Sequence, residues 1–165
     1  MKSITYFYLI SLIVASLSAC GFHLRGPSDV PFKSVYIQGN TLTISKDLKK
    51  YLNTNEIKIL PSAENAELLI DLLGEENEKR ILSLAGTGTV NEYELYYRIS
   101  YRTKVSNQPL WSQAITIESR RDLTYSDATL LSKQTEERKL NENMQQEVVN
   151  RLIRRLSSLK KQSQQ

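Results

Sequence analysis

The chain has 165 residues and a formal net charge of +4, from 22 lysines and arginines against 18 aspartates and glutamates. Its single cysteine, Cys20, and single histidine, His23, exclude an internal disulfide, a cysteine-based metal cluster and a zinc site built on paired histidines. One histidine also argues against Ser-His-Asp catalysis, and the mild positive charge favours anionic lipid or phosphosugar neighbours without deciding a fold.

An apolar run begins the chain and ends shortly before Cys20. Lys2 gives the run a basic start, and the segment from Ile4 to Leu17 is 14 residues long. A membrane-spanning helix needs roughly 20 such residues. Two small residues follow the run, as a signal peptidase requires next to its cleavage site. The pattern predicts that residues 1–19 are a signal peptide that is removed.

The four residues Leu17-Ser18-Ala19-Cys20 resemble the lipobox of bacterial lipoprotein precursors, in which the cysteine is acylated. Burial of several acyl chains, at about 0.8 kcal/mol per methylene group, makes such anchoring effectively permanent. Gly21 follows the cysteine, whereas an aspartate there would resemble an inner-membrane retention signal. We therefore expect Cys20 to be lipidated and to anchor the protein at the periplasmic face of the outer membrane. The alternative is an ordinary secretory signal with a chance cysteine.

A linker and a folded domain follow the predicted anchor. Residues 20–31 are predicted to be the linker, because Gly26-Pro27 and Pro31 block regular structure. The remaining length suits one domain with one hydrophobic core, predicted at residues 32–160. Residues 161–165 are predicted to be a frayed tail.

The first half of the domain carries short elements of alternating type. In chain order they are a strand at residues 32–38, a helix at 43–53, a short strand around 57–59 that Pro61 interrupts, and a more apolar strand at 67–73 with a charged extension at 75–80. Three lysines, Lys46, Lys49 and Lys50, lie on one side of the helix and are interpreted as a solvated face or, less favoured, a binding surface. Residues 85–89 carry two glycines but no following helix, so we expect a flexible loop or a hairpin end and not a phosphate-binding loop.

Strict alternation over residues 93–105 is the clearest pattern in the domain. One face carries Tyr93, Leu95, Tyr97, Ile99, Tyr101 and Val105, and the other carries Glu94, Tyr96, Arg98, Ser100, Arg102 and Lys104. This period of two predicts a long, half-buried antiparallel strand. A turn at 106–109 then leads into a return strand that begins at Trp111. The aromatic residues are interpreted as core, in preference to a stacking platform for bases or sugars.

A long amphipathic helix is predicted from residues 129–132 to about Leu159. Its apolar stripe recurs at three- and four-residue steps: Leu140, Met144, Val148, Leu152, Leu156 and Leu159. Basic residues crowd its C-terminal end, where cations complement the helix dipole. A sheet with one apolar face and two amphipathic helices predict an α+β two-layer sandwich. With the segments on the two sides of Pro61 counted as one interrupted strand, we expect a mostly antiparallel four-stranded sheet with two helices packed on one face.

Three segments resemble the LptE family of lipopolysaccharide-assembly lipoproteins: Cys20-Gly21-Phe22-His23-Leu24-Arg25-Gly26, Asn91-Glu92-Tyr93 and Leu152-Ile153-Arg154-Arg155-Leu156. The first is the most specific, and the resemblance covers essentially the whole mature chain. It implies a non-enzymatic protein without a cofactor beyond the covalent lipid. It also implies a plug in the outer-membrane barrel LptD, which the protein helps to assemble, and binding of lipopolysaccharide on its way to the outer leaflet. Such a location disfavours nucleic-acid binding.

The resemblance also implies where lipopolysaccharide binds. Counted back without gaps from the segment in the last helix, Lys133 takes the place of a family lysine assigned to this role; the alternative is a solvated surface lysine. A basic residue in the loop before the long strand is a second contributor in the family, but this chain has none between Arg80 and Arg98. Side chains suited to phosphate could replace it from two other pairs: Arg120 and Arg121, or Lys79 and Arg80.

Two other functions stay open from the sequence. A lipoprotein of another envelope secretion or assembly machine would share the anchor and the sandwich but would not bind lipopolysaccharide. The identity of the protein that co-purifies with it would distinguish this function from that of a plug in LptD. A small envelope hydrolase would need two carboxylates across a cleft, whereas most acidic residues here lie in exposed runs such as 75–78 and 136–137.

Overall fold

The computed structural model describes residues 30–125 and 130–159. The predicted signal peptide, Cys20 and the tail at 161–165 lie outside them, so the division of the chain and the lipid anchor stay predictions. The described residues contain five strands and two helices, in the order β1 (Ser34–Gly39), α1 (Ser45–Thr54), β2 (Lys58–Ile59), β3 (Leu68–Leu84), β4 (Val90–Val105), β5 (Ile115–Thr124) and α2 (Leu130–Ser158).

The strands form one mixed sheet in the order β2-β1-β3-β4-β5 among the described residues. β1 is parallel to both β2 and β3, whereas β3, β4 and β5 are successive antiparallel neighbours. The α+β class with two helices is confirmed, but the prediction of a four-stranded, mostly antiparallel sheet is wrong. The two segments that flank Pro61 are separate strands on opposite edges of β1, because Lys58 pairs with Ser34 while Leu68 pairs with Val35.

The core lies between one face of the sheet and the two helices. β4 alternates as predicted, and its residues Leu95, Tyr97, Ile99 and Tyr101 are buried. The helices add buried side chains at helical spacing: Leu48 and Leu52 from α1, and Met144, Val148, Leu152 and Leu156 from α2. Full burial of one such aliphatic side chain contributes roughly 1.5–3 kcal/mol. The interpretation of the tyrosines as core is confirmed for Tyr97 and Tyr101.

A register shift between Leu72 and Gly74 changes the face that β3 presents to the helices. Before the shift, Leu72 lies opposite Tyr101 and belongs to the core. An extra residue at such a bulge moves the following side chains to the other face. After the shift, Lys79 lies opposite Leu95 on the face of the sheet that the helices cover. The preceding Glu78 lies opposite Tyr96 on the other face, which we call the open face.

β1 ends against this bulge at a glycine. Gly39 has a φ of +92°, and a Cβ atom there would lie 2.3 Å from the carbonyl oxygen of Leu72. An L side chain would be strained by the backbone conformation and would also overlap with β3. Glycine at this position therefore allows the two parallel strands to stay in contact up to the bulge.

Candidate functional site

The hairpin of β3 and β4 and the first turns of α2 meet at one end of the molecule. Lys79 Nζ on β3 lies 2.6 Å from Glu137 Oε2 on α2. Further along α2, Arg151 donates to the carbonyl of Glu118 on β5, so the helix runs away from the hairpin turn. The start of α2 and the end of β3 therefore extend beyond the ion pair in the same direction. At about 1.5 Å per residue in a helix and 3.3 Å in a strand, they extend by about 10 and 17 Å. We call residues 79–89 and 130–137 the distal tip.

The distal tip exposes a group of large aliphatic side chains. Five residues there are between 44 % and 80 % exposed: Ile81, Leu82 and Leu84 from β3, and Leu130 and Leu131 from α2. Elsewhere in the described residues, only Leu73 and Leu110 are large hydrophobic residues with comparable exposure. Isolated exposed leucines are normal, but a group of this kind indicates a surface that binds another apolar group.

Two lysines lie beside these aliphatic side chains. Lys133, the predicted lipopolysaccharide contact, lies on α2 within the distal tip, with Nζ 2.8 Å from Glu136 Oε2. Lys79 contacts the next residue, Glu137, and its Nζ lies 4.2 Å from the ring centroid of Tyr93. The structure thus places both ammonium groups against consecutive glutamates. Since a partly exposed ion pair contributes only about 0.2–1 kcal/mol, a phosphate could replace either carboxylate at low cost.

Arg120 and Arg121 lie on β5 and point to opposite faces of the sheet. Arg120 Nη1 lies 3.0 Å from Glu94 on the open face, where its hydrogen bond with Tyr96 and the charge of Glu94 raise the pKa of Arg120. Arg121 faces α2, and its Nη2 lies 2.7 Å from Glu147 Oε2. Glu147 lies about 21 Å along the helix from Lys133. The structure therefore does not bring Lys133 together with Arg121, and the role of both arginines stays a prediction.

The open face of the sheet carries a network of ion pairs centred on Arg98. Its Nε lies 2.5 Å from Glu118, and its Nη1 lies 3.2 Å from Glu76 and 3.4 Å from Glu78. The hydrogen bond that Arg98 donates to Glu118, followed by those that it donates to the other two glutamates, raises the pKa of Arg98. Sequence reasoning missed this network because it depends on the register of three strands.

Aromatic rings on the same face lie under guanidinium groups. The carbon at the centre of the Arg98 guanidinium lies 4.7 Å from the Tyr96 ring centroid, and that of Arg102 lies 4.9 Å from Trp111. β5 begins at Ile115, so Trp111 is neither the start of the return strand nor a core residue, and both predictions are wrong. Its ring instead packs against Arg102, a contact worth about 0.5–1 kcal/mol at an exposed site.

The described residues contain neither a metal-ligand cluster nor a membrane-spanning helix. Within 30–125 and 130–159, no three histidine, cysteine, aspartate or glutamate side chains are grouped so that they could hold a metal ion. No helix in this part of the chain has both the length and the apolar character needed to cross a membrane.

Sequence comparison relates most of the chain to one family. A family model described as LptE, lipopolysaccharide-assembly, matches residues 32–156. The LPS-assembly lipoprotein LptE of Photorhabdus laumondii is 24 % identical over 154 residues, which cover 90 % of this chain and 82 % of that protein. The protein of the same name from Pectobacterium atrosepticum is 19 % identical over 166 residues, which cover 96 % and 88 %.

Structural comparison finds the same fold in lipoproteins of other bacteria. The solution NMR structure of an uncharacterized lipoprotein B from Nitrosomonas europaea has a TM-score of 0.71 and 36 % identity, over 86 % of this chain and 93 % of that chain. The crystal structure of the rare lipoprotein B from Shewanella oneidensis has a TM-score of 0.72 and 24 % identity, over 80 % and 99 %. The second likeness concerns the fold alone.

Proposed function

Because this chain belongs to the LptE family of lipopolysaccharide-assembly lipoproteins, we propose that it plugs an LptD-type outer-membrane barrel and binds lipopolysaccharide during its insertion into the outer leaflet. Acyl chains on Cys20 would hold it at the periplasmic face of that membrane. The protein would act by binding and assembly and would catalyse no reaction. Family membership supports this function, and so do two surfaces of the protein, the distal tip and the open face of the sheet.

The composition of the distal tip is the main support for lipopolysaccharide binding. Lipopolysaccharide joins acyl chains to a phosphorylated glucosamine core, and the tip joins exposed aliphatic side chains to Lys79 and Lys133. Ammonium groups form charge-assisted hydrogen bonds with phosphate, and apolar burial contributes about 25 cal/mol per Å². Each part of the tip therefore matches a part of the ligand.

Lys79 is the basic residue that we propose as the second phosphate contact. It lies on the helix side of β3 and contacts α2 one residue after the partner of Lys133. Arg80, the next residue, points to the open face, where it binds Glu78 at 2.6 Å. Arg120 and Arg121 are engaged by glutamates outside the distal tip. Lys79 would thus supply the positive charge that the loop before β4 lacks.

The open face of the sheet supports the plug. The lumen of an outer-membrane barrel is polar, so a plug needs a surface that tolerates water and charged neighbours. Arg98, Arg102 and Arg120 lie on this face, and each is paired with a carboxylate of the same chain. A face with its charges paired internally can lie against a polar wall without leaving unpaired charges in the contact.

Crosslinking in the envelope tests both parts of the proposal. The full chain, with a photo-crosslinking amino acid at Leu131 in the distal tip or at Asn143 as a matched control, would be irradiated in cells and purified in detergent. We expect a large barrel to co-purify with both variants and lipopolysaccharide to crosslink only at position 131. Absence of a barrel would instead support a lipoprotein of another envelope machine. Co-purification of a barrel without crosslinked lipopolysaccharide would contradict the proposed binding site at the distal tip but not the proposed role as a barrel plug.

A further inference from the structure

A second basic site lies at the other end of α2, far from the distal tip. The last turns of α2 and the start of β5 border a cavity of about 310 Å³. Arg151, Arg154 and Arg155 line it together with the hydroxyl-bearing residues Thr116 and Ser158. Arg155 lies 22 residues after Lys133, or about 33 Å along the helix. This cavity is therefore separate from the proposed lipopolysaccharide site.

The charges around the cavity leave it positive. Its one lining carboxylate, that of Glu118, lies 2.5 Å from Arg98 Nε and is thereby held on the open face. Arg154 forms no ion pair with any carboxylate among residues 30–125 and 130–159. Guanidinium groups present paired donors that match the oxygens of a phosphate. A free guanidinium next to two others is thus suited to a phosphate ligand.

Other contacts hold Arg151 in place. It donates to the carbonyl of Glu118 at 2.8 Å and also binds Glu147 on its own helix. The positive charge of Arg155 lies near the phenol of Tyr101, where it partly opposes the rise in the pKa of Tyr101 that burial causes. Because its contacts restrict Arg151, a ligand would lose less side-chain freedom on binding here than at three unrestrained arginines.

The cavity lies at the end of the sheet where the described chain begins. Val35 near the start of β1 pairs with Leu68, Leu68 pairs with Val105 at the end of β4, and Ile115 starts β5 opposite Tyr101. A strand spacing of about 4.8 Å places β5 about 14 Å from β1. Val30 is ten residue steps after Cys20, and an extended chain of that length spans at most about 35 Å. A leaflet that held Cys20 would therefore be within reach of the cavity.

We infer that the cavity bordered by Arg151, Arg154 and Arg155 binds a phosphate group, with Arg154 as its main donor. An anionic phospholipid of the leaflet that carries the acyl anchor is the source that the location favours, and free phosphate offers the same chemistry. The phospholipid source rests on the lipid anchor of the proposed function. The phosphate site itself depends on neither the anchor nor lipopolysaccharide binding.

Arginines at a helix C-terminus also complement the helix dipole. That role requires no ligand, so it predicts a loss of stability on substitution and no binding. Thermal unfolding of each variant is therefore measured beside binding. Arg154 has no ion pair to lose, and its substitution is expected to leave the fold intact.

NMR titration of the full chain in neutral detergent tests the site. Arginine side-chain Nε–Hε signals would be followed while inorganic phosphate, dihexanoyl phosphatidylglycerol or phosphate-free dihexanoylglycerol is added. We expect the signals of Arg154 and Arg155 to shift with the two phosphate compounds and not with dihexanoylglycerol. Arg154→Gln should weaken binding at least tenfold, whereas the matched control Arg138→Gln, on the same helix, should not. A response to phosphatidylglycerol alone would identify the lipid as the source.

Two results would overturn the inference. They are no shift with either phosphate compound and an equal loss of binding in Arg138→Gln. The same titration with the Lys133→Glu variant tests the phosphate site independently of lipopolysaccharide binding at the distal tip. Phosphate binding should survive that change even if lipopolysaccharide binding proves absent.

Discussion

Arg121 Nη2 lies 2.7 Å from Glu147 Oε2, so the edge strand β5 is joined to the middle of α2. Glu147 also accepts a hydrogen bond from Ser119 and contacts Arg151. The Ser119 hydroxyl, followed by the two arginines, lowers the pKa of Glu147. Arg121 therefore helps to hold the sheet against α2, whereas the preceding residue, Arg120, lies on the opposite face of the sheet.

Glu147→Gln should lower the free energy of unfolding by about 1–3 kcal/mol at neutral pH, because the amide leaves both arginines without a charged acceptor. The pKa of Glu147 is lowered in the folded state from its ordinary 4.5. Its stabilisation is therefore fully present above pH 4.5 and is lost as the pH falls through the lower folded value. Urea denaturation should show a constant difference between the two proteins above about pH 4.5 and a smaller difference as the pH falls below that value. The exposed control Glu142→Gln should show little difference, and a pH-independent loss would contradict the assignment.

Lys133→Glu should weaken lipopolysaccharide binding by about 10- to 100-fold, the equivalent of a charge-assisted hydrogen bond of about 1.5–3 kcal/mol. The glutamate would repel the phosphate that the ammonium is proposed to bind. Equilibrium binding to the full chain at fixed ionic strength would measure the change. Lys139→Glu reverses an exposed charge on the same helix outside the distal tip and serves as the control. Equal affinities for the two variants would show that Lys133 is only a solvated surface residue.

Leu131→Ser should reduce lipopolysaccharide binding without affecting stability. Leu131 is 80 % exposed, so the folded protein loses almost no buried apolar surface. Leu152→Ala, at a fully buried position of the same helix, should instead cost about 2–5 kcal/mol of stability. Binding and thermal unfolding of both variants would be compared. Unchanged binding in Leu131→Ser would exclude this leucine from an acyl-chain contact.

Cys20→Ala should remove the protein from outer-membrane fractions, because the side chain that would carry the acyl chains is gone. Fractionation of cells, with mass spectrometry of the N-terminal peptide, would measure both location and acylation. Ser18→Thr, a small change before the cysteine, provides a variant that keeps the thiol. If Cys20→Ala fractionates normally and the native N-terminus carries no lipid, the predicted anchor is refuted.

Elements that bury one face were predictable from the sequence. In β4 and α2 the periodicity of apolar residues is local, so the buried faces could be assigned without knowledge of the partners. The parallel pairing of β1 with β2 and β3 was not predictable in this way. Strand order depends on which edge the chain reaches after a crossover, and the residues around Pro61 carry no signal of it. Reading them as one interrupted strand produced the error in the sheet.

The distal tip was predictable only in part. The family resemblance pointed to Lys133, which the structure places there. Lys79 and Arg80 could not be distinguished by sequence, because their faces depend on the register shift after Leu72. The second half of β3 was also hard to predict as a strand, because it follows this shift and residues 75–80 carry no apolar side chain that would indicate one. A break in alternation at Leu72-Leu73-Gly74 was the available signal.

The bulge between Leu72 and Gly74 makes the charge of the distal tip depend on chain length as well as on residue identity. Deleting one residue there would turn Glu78 and Arg80 towards α2 and Lys79 towards the open sheet. An acidic side chain would then approach Glu137, although every charged residue of the segment would still be present. An insertion or deletion at this point in a relative could therefore reverse the electrostatics of its tip without any substitution, which a position-by-position comparison of charged residues would overlook.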